Sequence, residues 1–232
     1  MTAPLAIFDL DGTLVDSRAL IQSAMQAAFR AHGLRPPSYD ETRRTVGLAI
    51  EEVMAILAPA VAPRLRVRLT GSFQDAFVEM RRDPSFREPL YDGAAALVWR
   101  LAEAGWRLGI ATGKPRRGIE AFFETHGLRA AFDTSWSVDD GPGKPHPFMI
   151  DQAVAAVSVC KTRAVMIGDS VHDMTMARAA RVQAFGVAWG FQTADEVAAA
   201  GAHRVFEDFA GLATALAAFG ADEARADGST IA

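Results

Sequence analysis

The amino-acid sequence predicts an α/β protein with a Rossmann-like parallel sheet core that carries helices on both faces. After residue 93, short apolar segments typical of strands alternate with helical segments of about 10–15 residues, which indicates a parallel sheet. Between residues 15 and 100 no strand pattern occurs. We therefore expect a small all-helical domain to be inserted after the first strand.

The first part of the chain is predicted to form one strand followed by helices. The apolar segment PLAIFD (4–9) is typical of a buried strand, and residues 18–33 have helical spacing and end at Gly33, a common helix terminator. The segment RPPSYD (35–40) interrupts the pattern. Three further helical segments follow before residue 85, namely YDETRRTV, AIEEVMAIL and PRLRVRLTGSFQDAFVEMRR.

The second part of the chain is predicted to alternate between helices and strands. Helices are expected over 94–105, 115–127, 145–157 and 171–180, and strands over 106–112, 130–136, 163–169 and 182–189. The helices TADEVAAAG and FEDFAGLATALAAF then flank a short strand, HRVFE. The resulting domains are a core (1–15 and 88–220), a helical insert (16–87) and a flexible, polar C-terminal tail (221–232).

Composition argues against several classes of function. Of the 232 residues, 50% are hydrophobic and 22% are charged, which suits a protein with a packed core. The formal net charge of −4 gives no reason to expect a nucleic-acid partner. No apolar stretch reaches about 18 residues, so we expect no membrane helix and no membrane partner. The lone Cys160 and the lack of a signal-peptide pattern favour a cytoplasmic protein.

Two carboxylates lie two residues apart where the first strand ends, in the segment IFDLDGTLVDS (7–17). Asp9 and Asp11 would repel each other, and each would resist losing its water. Their placement is understandable if a cation lies between them, or if one of them carries a proton for chemistry.

Polar residues also follow other predicted strands. Thr112 and Gly113 follow the strand that begins at residue 106, and Asp169 ends a later strand, with Asp173 one turn further on. Lys144 lies in the glycine- and proline-rich loop before the helix at 145–157. Ligands of open parallel sheets bind beyond the carboxyl ends of the strands, so we expect these side chains at one edge.

This set of side chains suits phosphoryl transfer. Asp9, Asp169 and Asp173, with backbone carbonyls, offer the all-oxygen ligands that Mg²⁺ prefers and zinc does not. A hydroxyl and a lysine, from Thr112 and Lys144, would face an anion across the metal. Asp9 is the natural nucleophile, because carboxylates form aspartyl-phosphates in other enzymes.

Four segments resemble, in order and spacing, the motifs of the haloacid dehalogenase-like phosphohydrolases: DLDGTLVDS, ATGK, GKPHP and GDSVHDM. The similarity extends from residue 5 to about residue 190, and the helical insert resembles the helical cap domain of that family. We call the insert the cap from here on. Within the family, the chain most resembles the phosphoglycolate phosphatase-like enzymes.

The resemblance implies a role for each matched residue. Asp9 would be the nucleophile and a metal ligand, and Asp11 the general acid and base, which meets the metal through its backbone carbonyl. Asp169 would bind Mg²⁺ directly, whereas Asp173 would support the metal from the second shell. The residues implied to hold the phosphoryl group are Thr112, Gly113 and Lys144.

Residues that distinguish reactions within the family favour a phosphatase. Dehalogenases lack the acid that is Asp11 here. Phosphonoacetaldehyde hydrolases need a lysine in the cap, and no lysine precedes Lys114; an arginine could not replace it because it stays protonated. The β-phosphoglucomutase-like enzymes carry a cap histidine where this chain has Ile21, which disfavours a phosphomutase.

The substrate is expected to be a small phosphorylated metabolite, with phosphoglycolate favoured by the resemblance. Gly47 would allow the cap backbone to approach a ligand closely, and Arg43 or Arg44 would either pair with a substrate carboxylate or lie on a solvated helix face. Other phosphomonoesters, pyrophosphate, a phosphomutase reaction and a non-enzymatic binding or regulatory role remain alternatives. The protein would be a monomer or a homodimer.

Three further polar residues lie near the motifs. Lys114 and Arg116 would either line the site or belong to a solvated turn, and the turn is favoured. His172 is predicted to lie behind the site or at the surface.

Overall fold

A central parallel β-sheet organises the protein. The computed structural model describes residues 3–83 and 86–228. Within them, six parallel strands are ordered β3-β2-β1-β4-β5-β6. The strands are β1 (Leu5–Phe8), β2 (Arg107–Ala111), β3 (Thr134–Trp136), β4 (Ala164–Gly168), β5 (Gln183–Val187) and β6 (Arg204–Phe206). This confirms the predicted α/β fold class.

Helices cover both faces of the sheet because its central strands are apolar on both sides. In β1, Ala6 and Phe8 pack into one hydrophobic cluster, and Leu5 and Ile7 pack into another on the opposite face. The first cluster is closed by α5 (Ala94–Glu103), α6 (Arg116–His126) and α10 (Phe209–Gly228). The second is closed by α7 (Phe148–Ala156), α8 (Val171–Ala180) and α9 (Ala194–Ala199).

Four helices form the cap and have a hydrophobic cluster of their own. They are α1 (Arg18–Ala31), α2 (Tyr39–Arg43), α3 (Ile50–Leu57) and α4 (Pro63–Arg81). Met25 and Phe29 of α1, Met54 of α3 and Leu69 of α4 are buried against one another. The sequence marks two of the helix starts, because Ser38 forms a capping box with Glu41 and α4 begins at Pro63.

Two chain segments connect the cap to the core, and they pair with each other. Val15 forms an isolated antiparallel bridge with Leu90. The Asp16 amide donates to the Pro89 carbonyl at 2.8 Å, and the Tyr91 amide donates to the Leu14 carbonyl at 3.0 Å. Movement of the cap would therefore bend two hydrogen-bonded segments side by side.

Some predicted boundaries differ from those of the structure. The strand predicted over 130–136 is shorter because Arg129–Ala131 forms a 3₁₀ turn, and the helix predicted from residue 145 begins at Phe148. Helix α10 continues to Gly228, so the predicted flexible tail begins within a helix; residues 229–232 lie outside the described residues. In the part of the chain that the structure describes, no helix is long and apolar enough to cross a membrane.

Candidate active site

The candidate site lies at the carboxyl edge of the three central strands. The order β2-β1-β4 brings together the residues that follow these strands, which are Thr112 after β2, Asp9 after β1 and Asp169 after β4. All three side chains are buried. The predicted convergence of polar residues at one sheet edge is thus a consequence of strand order.

Three buried carboxylates form the centre of this site. Asp9, Asp169 and Asp173 each offer an oxygen, and these oxygens lie within 4.8 Å of one another. The Asp169 carboxylate accepts hydrogen bonds from the Thr13 hydroxyl at 3.0 Å and from the Phe191 amide at 2.7 Å. These bonds orient Asp169 toward the other two carboxylates.

Asp173 is held by the start of helix α8. Ser170 is the N-cap residue, its hydroxyl accepts from the Asp173 amide, and the Asp173 carboxylate accepts from the Ser170 amide and hydroxyl. This capping box explains the local sequence, because a short polar residue followed three positions later by an acid is a common helix start. One oxygen of Asp173 remains directed at the site.

Lys144 lies between two of the carboxylates. Its Nζ is 2.9 Å from Asp9 Oδ1 and 2.6 Å from Asp173 Oδ1, and its side chain is fully buried. Burial alone would lower the pKa of Lys144, but Asp173 and Asp9 more than offset this, so the pKa is raised and the lysine is charged.

Two of the carboxylates, Asp9 and Asp169, resist ionisation. Burial raises the pKa of Asp9 to about 7; Lys144 opposes this shift, whereas Asp173 and Asp11 add to it. Burial, followed by the charges of Asp173 and Asp9, also holds the pKa of Asp169 well above its usual range. The single ammonium of Lys144 therefore does not neutralise the three acids around it.

A magnesium ion fits this donor set. Three carboxylates opposed by one ammonium leave an excess of two negative charges when ionised, which one divalent cation would neutralise. The donors are all hard oxygen atoms, as Mg²⁺ prefers. The backbone also approaches the Asp169 carboxylate closely, at two glycines that leave no room for a side chain. A Cβ added at Gly12 (φ +80°) would lie 2.2 Å from Asp169 Oδ2, and one added at Gly190 would lie 2.3 Å from the same atom.

Asp11 belongs to a second buried group of charges. Lys114 Nζ lies 2.8 Å from Asp11 Oδ1 and 2.7 Å from Glu88 Oε1, and Glu88 Oε2 lies 2.9 Å from Arg81 Nε. Lys114 is only 7% exposed, so the favoured prediction of a solvated turn is wrong, and Lys114 lines the cavity between cap and core, as the alternative predicted. Burial alone would lower the pKa of Lys114, but Asp11 and Glu88 raise it overall. We call Asp11, Lys114, Glu88 and Arg81 the Lys114 network.

The cap loop approaches the site at Gly47. A Cβ at Gly113 would lie 2.6 Å from the Gly47 carbonyl, and a Cβ at Gly47 itself would lie 3.4 Å from Ser170 Oγ. Gly47 has a φ of +99°, a conformation that favours glycine. The cap backbone therefore approaches the core closely at this glycine, and both glycines line the cavity between cap and core. The predicted approach to a ligand stays a prediction.

The two arginines predicted to recognise substrate do not line that cavity. Arg43 is paired with Glu196 at 2.7 Å and with Asp40 at 2.7 Å, so its guanidinium attaches the cap to helix α9. Arg44 is exposed and pairs with Asp40 at 2.9 Å. Neither arginine is placed to contact a substrate in this cavity. The alternative prediction, a solvated helix face, agrees with Arg44 but not with Arg43.

Two further polar residues near the motifs, Arg116 and His172, make their contacts away from the site formed by Asp9, Asp169 and Asp173. Arg116 pairs with Asp140 at 2.5 Å and donates to Ser135. The ring of His172 hydrogen-bonds the Arg44 carbonyl at 3.1 Å, which joins core to cap.

Sequence reasoning missed Glu88, Arg81 and Phe191. An acid within the sequence FREPL matches no motif, so nothing local singles out Glu88. Its partner Lys114 lies 26 positions later, and Phe191 meets Asp169 from a loop 22 positions later. Only the pairing of strands brings these residues together.

Comparison with known proteins agrees with this geometry. The family model described as haloacid dehalogenase-like hydrolase matches residues 6–187. A protein of Dickeya dadantii named "probable phosphatase IndB" is 33% identical over 208 residues, covering 89% of this chain and 90% of that protein. A phosphoglycolate phosphatase of Rhodospirillum rubrum is 32% identical over 212 residues, covering 89% of this chain and 88% of that protein.

Solved structures share the fold. A hydrolase from Pseudomonas syringae superposes with a TM-score of 0.82 at 25% identity, covering 93% of this chain and 98% of that one. The matched family segment includes β2, β4, all of β1 except Leu5, and every residue of the carboxylate site. The chain is therefore a member of the haloacid dehalogenase-like hydrolase family.

Proposed function

We propose that the protein is a Mg²⁺-dependent phosphatase that hydrolyses a small phosphomonoester through an aspartyl-phosphate on Asp9. The observation that carries the proposal is the arrangement around the end of β1. Asp9 lies among buried carboxylates and Lys144, whereas Asp11, two residues further on, is paired with a different cation, Lys114. Two neighbouring acids with separate partners can perform separate tasks.

Asp9, Asp169 and the backbone carbonyl of Asp11 are the groups that would hold Mg²⁺. Asp173 would support them through its contacts with Lys144 and Ser170. When bound, the ion would neutralise the excess negative charge of the site and of the phosphoryl oxygens.

The chemistry then needs one nucleophile and one proton carrier. A carboxylate oxygen of Asp9 forms the bond to phosphorus while the bond to the ester oxygen breaks, and Asp11 donates a proton to the departing alkoxide. Water next attacks the aspartyl-phosphate, Asp11 takes the proton of that water, and the bond between Asp9 and phosphorus breaks. Thr112 and Lys144 hold the transferring phosphoryl group, with the backbone at Gly113 beside them.

Similarity to the relatives alone suggests phosphoglycolate as the substrate. The lone Cys160 favours a cytoplasmic setting. A phosphomutase is less well supported, because Ile21 lies buried in the cavity wall where that reaction would need a histidine. A non-enzymatic role would leave the buried nucleophile and acid without a purpose. We propose cap residues 16–87 as a separate domain that closes over the substrate and excludes water.

Phosphate release from p-nitrophenyl phosphate by the purified full-length protein tests the proposal. We expect turnover with Mg²⁺ and none for Asp9→Asn, which lacks the nucleophile. Thr175→Ala, on the outer part of helix α8, is a suitable control and should keep activity. A protein that binds Mg²⁺ but releases no phosphate from this ester or from a panel of phosphorylated metabolites would favour the regulatory alternative.

A further inference from the structure

A cavity of about 390 Å³ lies between the cap and the core and is continuous with the candidate site. Asp9, Asp11 and Thr112 form part of its wall. The group esterified to a phosphoryl held at Asp9 would therefore extend into this space. Its volume is within the range of sites that enclose a whole small molecule.

Most of the cap side of this cavity is apolar. Its wall includes Phe73 and Phe77, which lie one helical turn apart on α4 with ring centroids 5.8 Å from each other. Both rings are only partly buried. Other apolar side chains of this wall are Ile21, Met25, Val46 and Val53. Such a surface favours hydrocarbon that leaves water. The polar cap residues of the same wall are Thr42, Thr45, Glu51 and Gln74. Both threonine hydroxyls already donate to backbone carbonyls, those of Ser38 and Thr42.

The cations in the wall are poorly placed to bind a substrate carboxylate. Among the described residues that line the cavity, the cationic ones are Arg81, Lys114 and Arg117. Arg81 and Lys114 both pair with Glu88, at 2.9 and 2.7 Å. Arg117 is exposed, on helix α6 of the core. Of these three cations, Arg117 is the one that Glu88 does not engage, so a carboxylate such as that of phosphoglycolate would gain only a solvated charge.

We infer that the substrate is a phosphomonoester whose alcohol carries an aliphatic or aromatic group, and that this group fills the apolar cap side of the cavity. The inference rests on the proposed phosphatase function and names the substrate class of the same site. It replaces the preference for phosphoglycolate, whose two-carbon acid would leave the apolar wall uncovered.

A series of alkyl phosphates tests the inference. Ethyl, n-butyl and n-hexyl phosphate have leaving groups of similar chemistry and increasing apolar length, and phosphoglycolate serves as the carboxylate-bearing reference. With the full-length protein and Mg²⁺ we expect kcat/KM to rise by up to about fourfold per methylene, since burying one methylene contributes about 0.8 kcal/mol. Hexyl phosphate should exceed phosphoglycolate at least about tenfold.

Two valines on helix α4 give a matched pair of variants. Val78 lines the cavity and is 44% exposed, whereas Val67 is 72% exposed and lies outside the wall. Both sites tolerate polar side chains without disturbing a core. Val78→Asn should reduce the ratio of kcat/KM for hexyl over ethyl phosphate several-fold, and Val67→Asn should leave this ratio unchanged.

A binding measurement gives a second readout that needs no turnover. By calorimetry, n-hexylphosphonate should bind more tightly than ethylphosphonate and with a more negative heat-capacity change, the sign of apolar burial. Equal kcat/KM across the alkyl series, or phosphoglycolate as the best of the four esters, would overturn the inference and leave the phosphatase function intact. If neither these esters nor p-nitrophenyl phosphate is hydrolysed, the proposed function fails and this inference fails with it.

Discussion

Asp9 and Asp11 are separated by one residue, yet each is paired with a different lysine. Asp9 faces Lys144 and the other two carboxylates, whereas Asp11 faces Lys114 at the cap side. Residues two apart in a strand point to the same face, but β1 ends at Phe8, so Asp9 and Asp11 lie beyond the strand and can be directed differently. The two acids therefore differ in the buried cation that each one faces, Lys144 for Asp9 and Lys114 for Asp11.

Replacement of Lys114 tests the importance of the Lys114 network for stability. Lys114→Met should lower the free energy of unfolding by about 3 kcal/mol, because it leaves the Asp11 and Glu88 carboxylates buried with less compensation. Lys161→Met is the matched control: Lys161 pairs with Asp151 but is 44% exposed, so its loss should cost less than about 1 kcal/mol. Urea denaturation measures both. Equal, small losses would show that the network contributes little.

The raised pKa of Asp9 predicts a pH dependence for the metal-free protein. Burial raises this pKa from its usual 3.8 to about 7, so between these values the folded state keeps a proton that the unfolded chain releases. Stability from this group is therefore lost as pH rises from about 4 to about 7.

The variant Asp9→Asn removes that pH-dependent loss. In EDTA at pH 8 we expect its melting temperature to exceed that of the wild type by several degrees, since about 1 kcal/mol shifts a protein of this size by about 2–4 °C. Near pH 4.5 the difference should be small, because the wild-type aspartic acid is then protonated. If the wild type and Asp9→Asn have the same melting temperature at pH 8, burial of the ionised Asp9 carboxylate does not destabilise the metal-free protein.

At the scale of secondary-structure elements, the cap is attached to the core by contacts between α2 and α9. Arg43 on α2 reaches Glu196, which also closes the capping box of α9 with Thr193. Beside this pair, Phe191 packs against Ile21 and Val46 of the cap. One ion pair and one apolar cluster thus orient the cap over the site.

Arg43→Ala should loosen this attachment. We expect a loss of about 1 kcal/mol, which corresponds to a melting temperature about 2–4 °C lower, and faster amide exchange over residues 39–48. Arg35→Ala removes an arginine that pairs with Glu41 on the exposed side of the cap, and it should change neither quantity. If both variants exchange alike, Arg43 does not attach the cap.

The sequence was sufficient to predict the elements and the carboxylate site, but not the long-range partners. Asp9, Asp169 and Lys144 could be assigned because each follows a strand or lies in a loop whose position the parallel topology dictates. The partner of Arg43 could not be predicted, because Glu196 lies 153 positions away and no local pattern indicates the pairing. Lys114 was missed for the same reason, since a lysine in a turn is usually solvated unless an acid from elsewhere, here Glu88, covers it.

At the scale of the whole molecule, Mg²⁺ is expected to link activity to stability. Binding of an ion to the folded state alone at about 100 times its dissociation constant would add about 2.7 kcal/mol, so the melting temperature should rise with Mg²⁺. Excess EDTA should abolish turnover, and Ca²⁺ should inhibit because its looser, higher coordination would misplace Asp9. Asp169→Asn should lose both the thermal shift and activity. Full turnover in excess EDTA would contradict the assignment of the carboxylate cluster as a metal site.

The two aspartates at the end of β1 are proposed to perform different tasks. Asp11→Asn keeps the nucleophile but removes the proton carrier, so turnover should fall by about 10²–10⁴-fold. With p-nitrophenyl phosphate the leaving group needs little protonation, so formation of the phosphoenzyme should be slowed less than its hydrolysis.

The most direct test is mass spectrometry of acid-quenched Asp11→Asn protein after mixing with p-nitrophenyl phosphate and Mg²⁺. We predict one added phosphoryl group on the peptide that contains Asp9, and none in Asp9→Asn treated in the same way. Wild-type turnover by Asp11→Asn, or product formation by that variant without any phosphorylated Asp9 peptide, would contradict the claim.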